Sequence, residues 1–96
     1  MPVHLTPRER SALKGRAHAL EPVVHVGHAG VSDALVKETD RALAAHELIK
    51  VRVGGEDRDA RAGCIEELCR QTDAALVQTV GKVAVLWRPR PETDEA

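Results

Sequence analysis

Gly27-His28-Ala29-Gly30 follows the β-branched run Val23-Val24-His25-Val26 and precedes a stretch with helical spacing, and it is the segment best suited to chemistry. Glycines at both ends of a loop permit positive φ and let a second backbone approach closely, while a helix starting just beyond turns free amide donors outward. Such a turn is a ready anion site, phosphate above all. His28 adds a donor between the glycines. The bland alternative is a tight strand-to-helix turn, and Gly-x-x-Gly alone is a short pattern. Nucleotide-enzyme loops are excluded on residues. A dinucleotide fold needs Gly-x-Gly-x-x-Gly, and a P-loop needs Gly-Lys followed by Ser or Thr, whereas Gly81-Lys82 is followed by Val83.

Basic residues offer a second pattern: Arg10 and Lys14 near the N-terminus, Lys50 and Arg52 two apart, and Lys82 and Arg88 around a glycine turn. If the fold carries them to one side, they join the glycine loop in a phosphate-tracking face. Metal binding finds no support, because His25 and His28 lie far from Cys64 and Cys69 and no Cys-x-x-Cys or His-x3-His pair occurs. No metal and no cofactor are expected. Glu56, Asp57 and Asp59 cluster where helix N-termini collect acids, Glu66 and Glu67 read as solvated helix positions, and no catalytic residue is assigned.

With 96 residues the chain holds one small domain. Its formal charge of -1 argues neither for nor against a polyanionic partner. Glu92, Asp94 and Glu95 form an acidic tail, so residues 91–96 read as a flexible end and residues 1–90 as the folded, mildly basic body. A single Trp, with no Tyr or Phe, disfavours stacking of several bases on aromatic side chains. No run approaches a membrane span or a signal peptide, so a cytoplasmic protein without a membrane partner is expected. The two cysteines read as buried thiols.

Positioning these residues requires regular elements. Thr6-Pro7-Arg8-Glu9 has capping-box spacing with Pro at the first helical position, and Leu13, Ala17 and Leu20 form the apolar stripe of a helix that Pro22 ends. Residues 23–26 read as a buried strand, and Ser32 as the N-cap of a helix through Leu35, Thr39, Leu43 and His46. Residues 48–53 alternate, with Ile49, Val51 and Val53 on one face and Leu48, Lys50 and Arg52 on the other. Asp57 or Asp59 opens a third helix carrying Ala60, Cys64, Ile65 and Leu68, and residues 75–80 and 82–88 form a hairpin turning at Gly81. Trp87 alternates with Val83 and Val85, which favours core packing over stacking on a base. The order α-β-α-β-α-β-β implies an α+β fold, a small four-stranded mixed sheet with a parallel crossover and a terminal antiparallel hairpin.

Four segments then resemble a known family. Leu13-Lys14-Gly15-Arg16-Ala17-His18, Pro22-Val23-Val24 leading into Gly27-His28-Ala29-Gly30, His46-Glu47-Leu48-Ile49-Lys50-Val51, and Gly81-Lys82-Val83 with Leu86-Trp87-Arg88 look like the CRM domain (chloroplast RNA splicing and ribosome maturation), whose stand-alone bacterial members are the YhbY-like proteins. The resemblance covers residues 5–90. It implies an RNA-binding fold similar to the C-terminal domain of translation initiation factor 3, acting on large-subunit ribosomal RNA precursors and without enzymatic activity. Carried over, Gly27, His28, Ala29 and Gly30 become the RNA-contacting loop, and Lys14, Lys50, Lys82 and Arg88 become phosphate contacts. Arg10 and Arg52 join them on the charge pattern alone. The expected partner is RNA and not DNA. The alternative is a protein-interaction adaptor of the assembling ribosome, using a sheet edge or the acidic tail. A small hydrolase with His25 or His28 as base ranks behind both.

Overall fold

The capping box forms as its spacing predicts. Thr6 Oγ1 accepts from the Glu9 amide at 3.1 Å, and Glu9 Oε1 accepts from the Thr6 amide at 3.0 Å, starting α1 (Pro7–Ala17). The computed structural model describes residues 5–27, 30–55 and 57–89. His28, Ala29, Glu56 and the acidic tail lie outside the described residues. The helix ends at Ala17, where the His18 amide is shared between the Lys14 and Gly15 carbonyls. Leu20, expected on the stripe, therefore falls beyond the helix and is 36% exposed.

The chain continues through β1 (Pro22–Val26), α2 (Asp33–His46), β2 (Leu48–Val53), α3 (Arg58–Thr72), β3 (Ala75–Val80) and β4 (Val83–Trp87). Ser32 caps α2 by accepting from the Leu35 amide, and Asp57 caps α3 by accepting from the amides of Asp59 and Ala60. The sheet order is β1-β2-β4-β3, with β1 parallel to β2 and the other pairs antiparallel, so the fold is the mixed α+β arrangement expected. Val80 pairs with Val83 across a two-residue turn in which Gly81 has φ +58. That positive angle at the first turn position is what glycine permits.

Alternation along the strands divides the core in two. Val24, Val26, Ile49, Val51, Val53, Ala84 and Leu86 face α2 and α3 and pack with Leu35, Leu43, Ile65 and Leu68. Leu48, Val77 and Val85 face the opposite way and pack with Leu13 and Ala17 of α1, with Leu5 and Trp87 closing the margin. Trp87 thus packs as its alternation predicts. One expectation changes: β1 is an edge strand and not a buried one, with Val24 and Val26 inside and Val23 46% exposed. The crossover lays β1 beside β2, and β4 takes the other side of β2, so among the described residues no strand pairs with the outer edge of β1.

Candidate nucleic-acid interface

Parallel β1 and β2 end at the same end of the sheet, and antiparallel β4 begins there. Three glycine-bearing turns consequently converge: Gly27 to Gly30 after β1, Gly54-Gly55 after β2, and Gly81-Lys82 before β4. They are stitched together. The Gly54 amide donates to the Val26 carbonyl at 3.0 Å, and the Val53 amide donates to the Lys82 carbonyl at 2.7 Å. The caps of α2 and α3, Ser32 and Asp57, follow the first two turns.

The first turn differs from its sequence expectation in one respect. The Gly30 amide donates to the Gly27 carbonyl at 3.1 Å, so this amide closes the turn and does not point at a ligand. Gly30 needs its missing Cβ, because its φ is +75. Gly27 does not. Its φ lies outside the left-handed region, and a Cβ built there meets nothing within 4 Å. Absence of a side chain at 27 therefore leaves an open approach that the fold itself does not require.

The basic residues separate into two groups. Arg10 Nη1 donates to the Leu76 and Val77 carbonyls at 2.6 and 2.8 Å, pinning α1 to edge strand β3. Lys50 Nζ donates to the Leu20 carbonyl at 2.9 Å, holding the turn after α1. Arg88 leaves the far end of β4 toward α2 and α3, where Nη1 donates to Asp40 Oδ1 at 2.6 Å and to the Thr72 carbonyl at 2.8 Å. These three are structural ties, with Arg88 on the face and end remote from the turns. Lys14, Arg52 and Lys82 make no side-chain hydrogen bond or ion pair among the described residues. Of these, Arg52 and Lys82 belong to the converging end. Arg52 pairs with His25 on one side and with Val83, the neighbour of Lys82, on the other. Lys14 stands on the exposed side of α1.

Charge divides across the sheet although the total is near zero. On one side, α1, the turn after it and the β2 face beneath carry Arg8, Arg10, Lys14, Arg16, Lys50 and Arg52 against Glu9 and Glu21. On the other, α2 and α3 with caps Glu47, Asp57 and Asp73 hold nine acids against five bases. Composition hides this polarity, because the layer to which each charge belongs is decided by the sheet. A net charge of -1 thus coexists with one distinctly basic side.

Cysteine chemistry is muted. Cys69 is buried and its thiol is pushed up to about 11 by loss of water, with a smaller contribution from the Glu66 charge. Cys64, expected to be buried, is half-buried and borders the glycine turns. No helix among the described residues is long and apolar enough to cross a membrane.

Residues 5–88 match the CRS1 / YhbY (CRM) domain. The chain belongs to the CRM family. It is similar to a Haemophilus influenzae protein named RNA-binding protein, 44% identical over 88 residues that span 92% of this chain and 89% of the relative. A Pseudomonas aeruginosa protein is 37% identical over 91 residues, covering 95% and 88% of the two chains. Among solved structures, a Staphylococcus aureus protein in solution superposes with a TM-score of 0.81 at 31% identity, covering 95% of each chain. The CRM fold here is the one described above, and its Gly-x-x-Gly segment lies in the first of the three converging turns.

Proposed function

We propose that this CRM domain is a non-enzymatic RNA-binding protein that engages its strand at the end of the sheet where the three glycine turns meet. Gly27 leaves the approach open, Arg52 and Lys82 supply charge beside it, and Lys14 extends the basic side along α1. His28 and Ala29 complete the proposed loop. Arg10, Lys50 and Arg88 act on the fold and not on the RNA. The observation that carries this reading is the convergence itself, three glycine-bearing turns with two cations uncommitted among the described residues at one end of one sheet.

Contacts of this kind fix a phosphate backbone and read little sequence. We assign precursors of the large ribosomal subunit as the physiological RNA, on the strength of the family likeness in its four ordered motifs. Residues 1–90 are the binding unit in this reading, and the cytoplasm is its place of action.

Gly27→Asp provides the test. An aspartate at 27 meets no steric obstacle and no backbone strain, so the variant should fold like wild type by thermal denaturation. Its added charge should weaken binding to large-subunit ribosomal RNA at least tenfold in filter binding, at low and at moderate salt. Unchanged affinity in the folded variant refutes the loop as the contact. Crosslinking in cells followed by sequencing of the attached RNA should enrich large-subunit precursors, and scattered, unenriched reads refute the ribosomal assignment.

A further inference from the structure

We propose that the cavity between the first two glycine turns receives one unpaired base of the bound strand, and that Asp57 selects guanine there. This rests on the RNA reading above and adds a base-recognition site to it. The cavity measures about 270 Å³, the size class of a single nucleobase and far too small for a duplex. Gly27, Gly30, Gly54 and Gly55 wall it, and a Cβ built on Gly27, Gly30 or Gly55 meets nothing within 4 Å. The remaining lining is largely apolar, from Val26, Val53, Ala60 and Cys64.

Phosphate is a poor occupant of such a space. The Gly30 amide is committed to the Gly27 carbonyl, and Asp57 brings a negative charge to the lining. A base is a good one. Arg61 also lines the cavity, held by a 2.8 Å hydrogen bond from Nη1 to the Gly55 carbonyl, and a planar guanidinium stacks well on a ring. Asp57 Oδ1 caps α3, accepting from the amides of Asp59 at 2.9 Å and Ala60 at 3.4 Å. Oδ2 accepts no hydrogen bond among the described residues.

An ionised carboxylate only accepts. Guanine alone among the four bases presents two adjacent donors, its ring N1–H and its exocyclic amino group. Adenine and cytosine set an amino group beside a ring acceptor, which a carboxylate repels, and uracil offers a single ring N–H between two carbonyls. Unpaired bases read on this edge are the usual route to sequence preference in RNA.

The test uses the full chain and four oligoribonucleotides, each a single variable base flanked by four uridines on either side, titrated by fluorescence anisotropy. The guanine-centred strand should bind about tenfold more tightly than the all-uridine strand, the scale of one good two-donor contact. Asp57→Asn retains the helix cap, since Asn caps as well as Asp. It turns one acceptor into a donor, so the ratio of guanine-centred to all-uridine affinity should fall to about one, whatever the loss of one negative charge does to both strands alike. Cys64→Leu, which fills the cavity from α3, should also flatten the preference and leave the salt dependence intact. Equal affinity for all four strands, or a guanine preference that survives Asp57→Asn, overturns the base site and leaves general RNA binding standing. Failure of the wild-type chain to bind any of the four strands, or ribosomal RNA, removes the RNA reading together with it.

Discussion

Arg88 and Asp40, 48 residues apart in sequence, are joined by a 2.6 Å hydrogen-bonded ion pair, and the same guanidinium nitrogen reaches the Thr72 carbonyl at 2.8 Å. One side chain leaving the last strand thus ties α2 to the C-terminal end of α3. The Arg88 side chain is only 22% exposed, so the tie is partly shielded from water. Arg88→Ala should cost about 1–2 kcal/mol of stability, because it removes charge-assisted bonds and strands the Thr72 carbonyl. Its RNA affinity should match wild type once folding is checked. A tenfold loss of affinity at unchanged melting temperature would return Arg88 to the binding surface.

The capping box predicts a local stability effect. Thr6→Ala removes the acceptor for the Glu9 amide and should cost about 1 kcal/mol in chemical denaturation. α1 carries Arg10, whose bonds brace the β3 edge, so hydrogen exchange at Leu76 and Val77 should accelerate in the variant.

Trp87 packs beside Val85 and Leu13, yet its indole Nε1 is buried without a partner among the described residues. A buried donor without an acceptor is destabilising. Trp87→Phe should therefore stay within about 0.5 kcal/mol of wild type or exceed it, whereas Trp87→Ala should lose about 3 kcal/mol. A loss in Trp87→Phe as large as in Trp87→Ala would mean that the indole nitrogen is bonded.

Alkaline stability should depend on Cys69. Burial lifts its thiol from 9.0 to about 11, so the folded state holds this proton after the unfolded chain has released its own. The group's contribution is intact below about pH 9 and declines as pH rises toward about 11, by up to ~1.4 kcal/mol per pH unit. Denaturation at pH 8 and pH 10 should reveal a fall in wild type that is smaller in Cys69→Ala. An identical fall in both assigns the effect to other groups.

Salt should report Arg52 and Lys82. Neither has a partner to lose among the described residues, so Arg52→Gln and Lys82→Gln should leave the melting temperature nearly unchanged. Each should reduce the slope of log affinity against log salt by about 0.7 on a single-stranded RNA. Slopes that stay at the wild-type value would exclude both cations from phosphate contact.

Local physics made much of the fold legible. The capping box at Thr6, the cap at Ser32, the alternation of residues 48–53 and the glycine turn at 81 each depend on atoms a few residues apart, and each stands as its pattern implied. The ends of α2 at His46 and of α3 at Thr72 also fall where the pattern placed them, but the backbone just past them was not legible. Glu47 and Asp73 adopt φ of +67 and +57, where glycine or asparagine is the usual signal, because the chain must reverse at once into the next strand.

The sequence by itself determined the elements, their order, the family likeness and the presence of glycine turns and scattered cations. Only the tertiary structure decided which cations remain uncommitted. Arg10, Lys50 and Arg88 find acceptors 66, 30 and 48 residues away, which no local pattern can specify. It also brought the Gly54-Gly55 turn and Asp57 beside Gly27, and it sorted a nearly neutral set of charges into a basic and an acidic side. The reason is geometric: long side chains and loop ends take their partners from the packing of layers, and that packing exists only once the sheet has formed.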